Sequence, residues 1–347
     1  MPVLSKQGAL TGLAIAAVSG GVLLAQPSGK PTLVTVDNFA RAESHLYFGN
    51  ALKSSGALGK LYHYREAMPI DKQAVIRANR DTFYSSAVVD LDAGPVTMTL
   101  PDSGGRFRSL MVINEDHYIV GDIVYDAGKY VYDRQKVGSR YALVGMRTFA
   151  DPGDAADVRK VHALQDATTL GQPSPGTLQL PTWDAVSQKK VRDALLVLAT
   201  TIPDFKGAFG SKGQIDPVRH LIGSGAAWGG NPEKDATYLN VTPPMNDGTT
   251  VHTLTVKDVP VDGFWSISLY NSEGYFQKNS TNAYSLNNVT AAKDANGGVR
   301  AQFGGCDGKV PNCLPIMKGW NYTVRLYRPR SPILDGSWKF PDAVPVK

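Results

Sequence analysis

Alternation of apolar and polar residues is the strongest signal along the chain. In PVTMTL it puts Val96, Met98 and Leu100 on one face; in WSISLY it does the same for Trp265, Ile267 and Leu269, and in YTVRLY for Tyr322, Val324 and Leu326. A period of two is that of a strand with one face in a core, the pattern of antiparallel sheets. Helical spacing is confined to three segments. VDNFARAESHLYFGNALK offers Asp37 as an N-cap, and DAADVRKVHALQDATTL spaces Val158, Val161 and Leu164 for a helix. WDAVSQKKVRDALLVLATTI carries a stripe of Val191, Leu195, Leu198 and Ile202 behind a capping Asp184. Glycine (35) and proline (22) are scattered, which suits short strands joined by tight turns. The pattern predicts a mainly β fold with α (α+β): two β-sandwich or barrel-like domains with a few packed helices between them.

Composition sets the scale. A chain of 347 residues, 42% apolar and 19% charged, has material for about two globular domains. Its net charge of +5 is spread without a basic run, which argues against a nucleic-acid partner. At the N-terminus a single Lys6 precedes an uncharged segment from Gly8 to Ala25. This is the form of a secretory signal, expected over residues 1–25, and only an uncleaved segment would put the chain on a membrane. Cys306 and Cys313, the only cysteines, flank a turn-rich loop. With no histidine beside them they make a poor zinc site, and a local disulfide in an oxidising periplasmic or extracellular compartment is expected. The domain boundaries expected are 30–170, a helical and loop connection over 171–235, and 236–347.

Two long stretches carry a family likeness. NRDTFYSSAVVDLDAGPVTMTLPDSGGRFRSLMVINEDHYIV resembles the domain of unknown function 1254, with DNFARAESHLYF, VGSRYALVGMRTF and VHALQDA extending the likeness. GFWSISLYNSEGYFQKNSTNAYSL and WNYTVRLYRPRSPILDGSWKFP resemble the domain of unknown function 1214, which usually follows the first. The resemblance implies β-rich sandwich or barrel domains and no established activity, so no catalytic residue is carried over. The insertion CDGKVPNC departs from the usual second-domain pattern.

Candidate chemistry gathers at strand ends. In VIRANRDTFYSS, Val75 and Ile76 read as a strand leading into Asn79, Arg80, Asp81 and Thr82, with Tyr84 beyond. Asn79, Arg80 and Tyr84 are candidate binding groups and Asp81 a candidate acid or base; the alternative is a structural brace of paired charges and satisfied turn groups. In NEDHY, Glu115 and His117 would face one side of a continuing strand and form a working pair. Trp228, in GSGAAWGG, is either a pocket wall or a core anchor. GxSxG, HExxH and GxGxxG are absent, so no metal and no cofactor is expected. Two functions remain: binding of, or action on, a small molecule in a pocket between the domains, and a homo-oligomeric envelope or surface interaction protein in which the same residues are braces.

Overall fold

The structure, a computed structural model, describes residues 30–73 and 75–346; the expected signal segment lies outside the described residues. The chain divides into two compact units, one of residues 30–67 with Thr82–Gly230, the other of Met68–Asp81 with residues 231–346.

The first unit runs α1 (Phe39–Ser55), β1 (Tyr62–His63), β2 (Thr82–Asp90), β3 (Val96–Leu100), β4 (Arg108–Asn114), β5 (Gly128–Tyr132), α2 (Arg134–Val137), β6 (Tyr141–Phe149), α3 (Ala155–Ala167), β7 (Thr169–Gly171), α4 (Ala185–Ala199) and α5 (Pro217–Ala226). Its strands make two antiparallel sheets, β1-β2-β6-β4 and β5-β3-β7. The larger sheet is buried on both faces. Val89, Val112 and Val144 share one core with Val96 and Met98 of the smaller sheet. Val88, Ile113 and Leu143 share another with Phe48 and Leu52 of α1. Each such side chain stabilises the fold by roughly 1.5–3 kcal/mol on full burial.

The second unit runs β8 (Ala236–Val241), β9 (His252–Val256), β10 (Trp265–Tyr270), β11 (Ser285–Asn287), β12 (Val299–Phe303), β13 (Cys313–Leu314), β14 (Asn321–Tyr327), α6 (Ser331–Leu334) and β15 (Val344–Pro345). Its sheets, β11-β10-β14-β8 and β13-β12-β9-β15, enclose Trp265, Ile267, Val324, Leu254, Ala301 and Phe303 as a sandwich. Among the described residues no sheet closes into a barrel, so the sandwich form of the expected fold is the one observed. The core-facing alternation of β3, β10 and β14 is as the sequence predicts.

Three local expectations are corrected. Val75 and Ile76 are not in a strand, because the chain turns through Arg77, at φ 51°, before β2 begins at Thr82. Asp37 does not cap α1; Asn38 precedes the helix and its Oδ1 accepts the N–H of Thr35. Leu198 is 47% exposed, since the apolar face of α4 turns Leu195 inward and leaves its last turn in solvent. Asp184 does cap α4, accepting the Ser187 N–H at 2.7 Å. No helix among the described residues is long and apolar enough to cross a membrane.

Candidate functional site

The side chains between the core-facing ones on β10 and β14 are Ser266, Ser268 and Tyr270, and Asn321, Thr323, Arg325 and Tyr327. Such a polar face normally meets water, yet all of these residues are buried. The cover is the segment Met68–Asp81. Arg325, 0% exposed, donates from Nη2 to the carbonyls of Arg77 (2.8 Å) and Ala78 (3.2 Å) and to the Tyr270 hydroxyl (2.7 Å), and from Nη1 to Ser268 Oγ (2.7 Å). The Tyr270 hydroxyl donates to the Ala78 carbonyl at 2.7 Å. Arg77 returns a bond from Nη1 to Thr323 Oγ1 (2.9 Å), and Asn79 Nδ2 donates to the Tyr327 hydroxyl (3.0 Å).

Asp81 closes this segment and is 1% exposed, with neither carboxylate oxygen in a hydrogen bond. Burial raises its pKa above the usual carboxylate range; Arg325 and the side chains of Ser266, Ser285 and Asn287 pull the other way without overcoming it. These three neighbours act through proximity, since none closes a bond of good geometry. Ser266 Oγ, Arg77 Nε, Arg325 Nε and Asn321 Oδ1 are likewise buried without partners. Unsatisfied donors and acceptors thus share one face, which is uncommon in a native interior. Ser285 also lines a groove of ≈ 270 Å³ beside the Cys306–Cys313 disulfide, together with Thr281, Val310 and Asn312.

The remaining candidates are occupied. Asn79 Oδ1 accepts the Asp81 N–H at 2.9 Å, forming a side-chain turn. Arg80 donates to the Met68 carbonyl and sits 5.4 Å from the Tyr284 ring centre; it does not pair with Asp81. Tyr84 belongs to the first unit, where the Arg147 guanidinium lies 5.8 Å from its ring centre.

Glu115 and His117 do not form the expected pair. Asn114 Oδ1 accepts the N–H groups of Asp116 (3.0 Å) and Tyr118 (2.9 Å), which ends β4 in a turn and puts His117 at φ 65°. Glu115 instead meets His45: Oε1 lies 2.9 Å from His45 Nε2, while His45 Nδ1 accepts the Trp183 indole N–H at 3.0 Å. The second acceptance fixes the His45 proton on Nε2. Burial alone would raise the Glu115 pKa, but His45 and the Tyr141 N–H outweigh it and hold the carboxyl below its usual range. His117 is sealed inside the first unit, its Nε2 accepting the Gly229 N–H (2.8 Å) and its Nδ1 2.8 Å from Ser224 Oγ. Ser224 Oγ donates onward to the His220 carbonyl, so His117 carries its proton on Nδ1. Burial, and then the neighbouring His220, push its pKa well below 6.5. Trp228 is a core anchor, stacked between Tyr47 (4.3 Å) and His117 (5.1 Å), with its indole N–H on Ser44 Oγ (3.1 Å).

Glu115, His117 and Trp228 are therefore saturated, and among the candidates from the sequence the unsatisfied chemistry lies around Asp81. Arg77, Ser266 and Arg325 were not predicted. The signal for Arg325 was a cation inside YTVRLY, between the core-facing Val324 and Leu326. Among the described residues no cluster of three or more His, Cys, Asp or Glu is placed to hold a metal ion.

Comparison with known proteins supports the fold and finds two local family matches. The VPA0106 protein from Vibrio parahaemolyticus has a crystal structure that matches with a TM-score of 0.71 at 17% identity, over 90% of this chain and 98% of that one. An uncharacterized protein from Burkholderia cenocepacia matches at a TM-score of 0.44 and 12% identity, over 86% of this chain and 84% of that one. No curated protein matches. Residues 58–128 fit the family "Protein of unknown function (DUF1254)" and residues 242–331 the family "Protein of unknown function (DUF1214)". The two matches fall in the order DUF1254 then DUF1214, the pairing its sequence motifs resemble.

Proposed function

We propose that the chain is an exported protein that binds a small polar molecule in its second unit, at the groove beside Ser285 and the polar face behind it. The observation that carries this reading is Asp81: both its oxygens are buried and unbonded, and its neighbour Ser285 lines the groove. Burial raises the Asp81 pKa, so its carboxyl holds a proton more readily than an exposed one, which makes Asp81 the candidate acid or base. Arg77 Nε, Arg325 Nε and Ser266 supply donors, while Asn321 Oδ1 supplies an acceptor. A ligand rich in both hydroxyl donors and acceptor oxygens, such as a polyol or hydroxy acid, complements that set. The disulfide supports export, because such bonds persist in oxidising compartments.

A panel of small polyols and hydroxy acids, read by thermal unfolding, tests the proposal. At least one should raise the melting temperature of the wild type and lose its effect in Asp81→Asn. If none does, the polar face holds only water and the reading fails. The second reading, an envelope or surface interaction protein, draws on the saturation of Glu115, His117 and Trp228, which brace the first unit.

A further inference from the structure

Arg108 opens β4 in the first unit and is 2% exposed. Its strand alternates Leu110 and Val112 into the core shared with Val96 and Met98, and Arg108 is in phase with them. Nε, Nη1 and Nη2 are all buried, and none has a hydrogen-bond partner. Nearby arginines of the first unit are satisfied: buried Arg147 donates to the Gly229 carbonyl, and half-buried Arg106 to Asp157 and the Phe149 carbonyl. A guanidinium cannot shed its proton to escape burial, so it needs a counter-charge.

The protein groups within electrostatic reach are Tyr130 and Asp102, and they do not offset the burial that lowers the Arg108 pKa. Asp102 lies in an exposed turn with Gly104 and Gly105, just before the strand, and its Oδ1 accepts the Gly104 N–H. Opposite Arg108 in register stands Thr148, also buried, on β6.

We propose that Arg108 is the anchor of a small-anion site inside the first unit, taking a carboxylate or a comparable oxyanion on its guanidinium fork, with the turn at 102–105 as the approach. Planar two-oxygen groups match that fork through paired hydrogen bonds. The site is independent of the polar face of the second unit, so either proposal can fail without the other.

The test is thermal unfolding of the desalted full chain in sodium acetate, sodium phosphate or sodium chloride at one ionic strength. The wild type should melt higher in acetate or phosphate than in chloride, Arg108→Lys should keep a weaker response, and Arg108→Met should lose it. Binding of acetate or phosphate, measured by titration calorimetry, should weaken at least tenfold in Arg108→Met. Equal melting in all three salts, or an unchanged anion response in Arg108→Met, would overturn the site. Should Arg108→Met fail to fold, Arg108→Lys decides: an undiminished oxyanion preference there overturns the fork, and a reduced one supports it.

Discussion

Arg325 Nη2 donates to the carbonyl of Arg77 at 2.8 Å, across 248 positions of sequence. This bond and its neighbours fold the segment Met68–Asp81 onto a sheet made from the other end of the chain. The segment's own apolar contribution is small, with Met68, Ile70, Val75 and Ala78 against Tyr270, Phe276 and Tyr284. Arg325 therefore matters most for holding it.

Replacing Arg325 by methionine keeps much of the volume and removes every donor. The carbonyls of Arg77 and Ala78 then lose a buried partner, and the expected loss is about 3–5 kcal/mol, the range for breaking a buried charged network. Urea unfolding measures it, and limited proteolysis should cut within residues 68–81 first. A loss below about 1 kcal/mol, the net value of one ordinary hydrogen bond, would show that the segment is held by other contacts.

His117 sets a pH limit on the first unit. Its folded pKa lies well below the ordinary 6.5, so unfolding takes up a proton between those two values. Its contribution to stability is complete above pH 6.5 and is lost as pH falls toward the folded value. Glu115, held below 4.5, loses its contribution in a lower window, as pH falls through its own depressed pKa. The slope just below pH 6.5 is at most about 1.4 kcal/mol per pH unit for one proton. In His117→Gln, which keeps an acceptor for Gly229 and a donor for Ser224, that slope should flatten while the acid limb remains. Urea unfolding between pH 7.5 and 5 checks it; an unchanged slope would assign the proton to another group, such as the partly buried His63.

The disulfide closes a short loop, with a sequence separation of 7 between Cys306 and Cys313. Chain entropy gives it roughly 2.5 kcal/mol. A Cys306→Ser, Cys313→Ser double variant should lose about that much stability and loosen the groove wall. Equal unfolding midpoints with and without reductant would reject the contribution.

Period-two alternation located β3, β10 and β14 and their inner faces, because burying one face of a sheet imposes that period directly. The outer face of β10 and β14 could not be read this way. Ser266, Ser268 and Thr323 look like solvent-facing residues, and only the distant segment ending in Asp81 makes them interior. The pairing of Glu115 was hidden for a related reason: its partner His45 lies 70 residues earlier, and one Asn114 turn overrode the strand rule that joined Glu115 to His117. Asp81 was legible as a chemical group, whereas its isolation from Arg80 depended on where both side chains turned. Arg108 carried a visible signal, a cation at the head of an apolar strand, but charged residues at strand starts are usually solvated.

The polar face is tested most directly by Asp81→Asn, measured for stability against pH and for binding of the polyol and hydroxy-acid panel. Burial raises the Asp81 pKa above 3.8, so its contribution to stability is complete below that value and is lost as pH rises through the folded pKa. The neutral asparagine escapes that loss. The variant should be at least as stable as the wild type at pH 7, should lose this advantage below pH 3.8, and should no longer respond to the ligands that stabilise the wild type. A variant that melts far below the wild type at pH 7 while still binding those ligands would contradict the site and make Asp81 a structural counter-charge for Arg325.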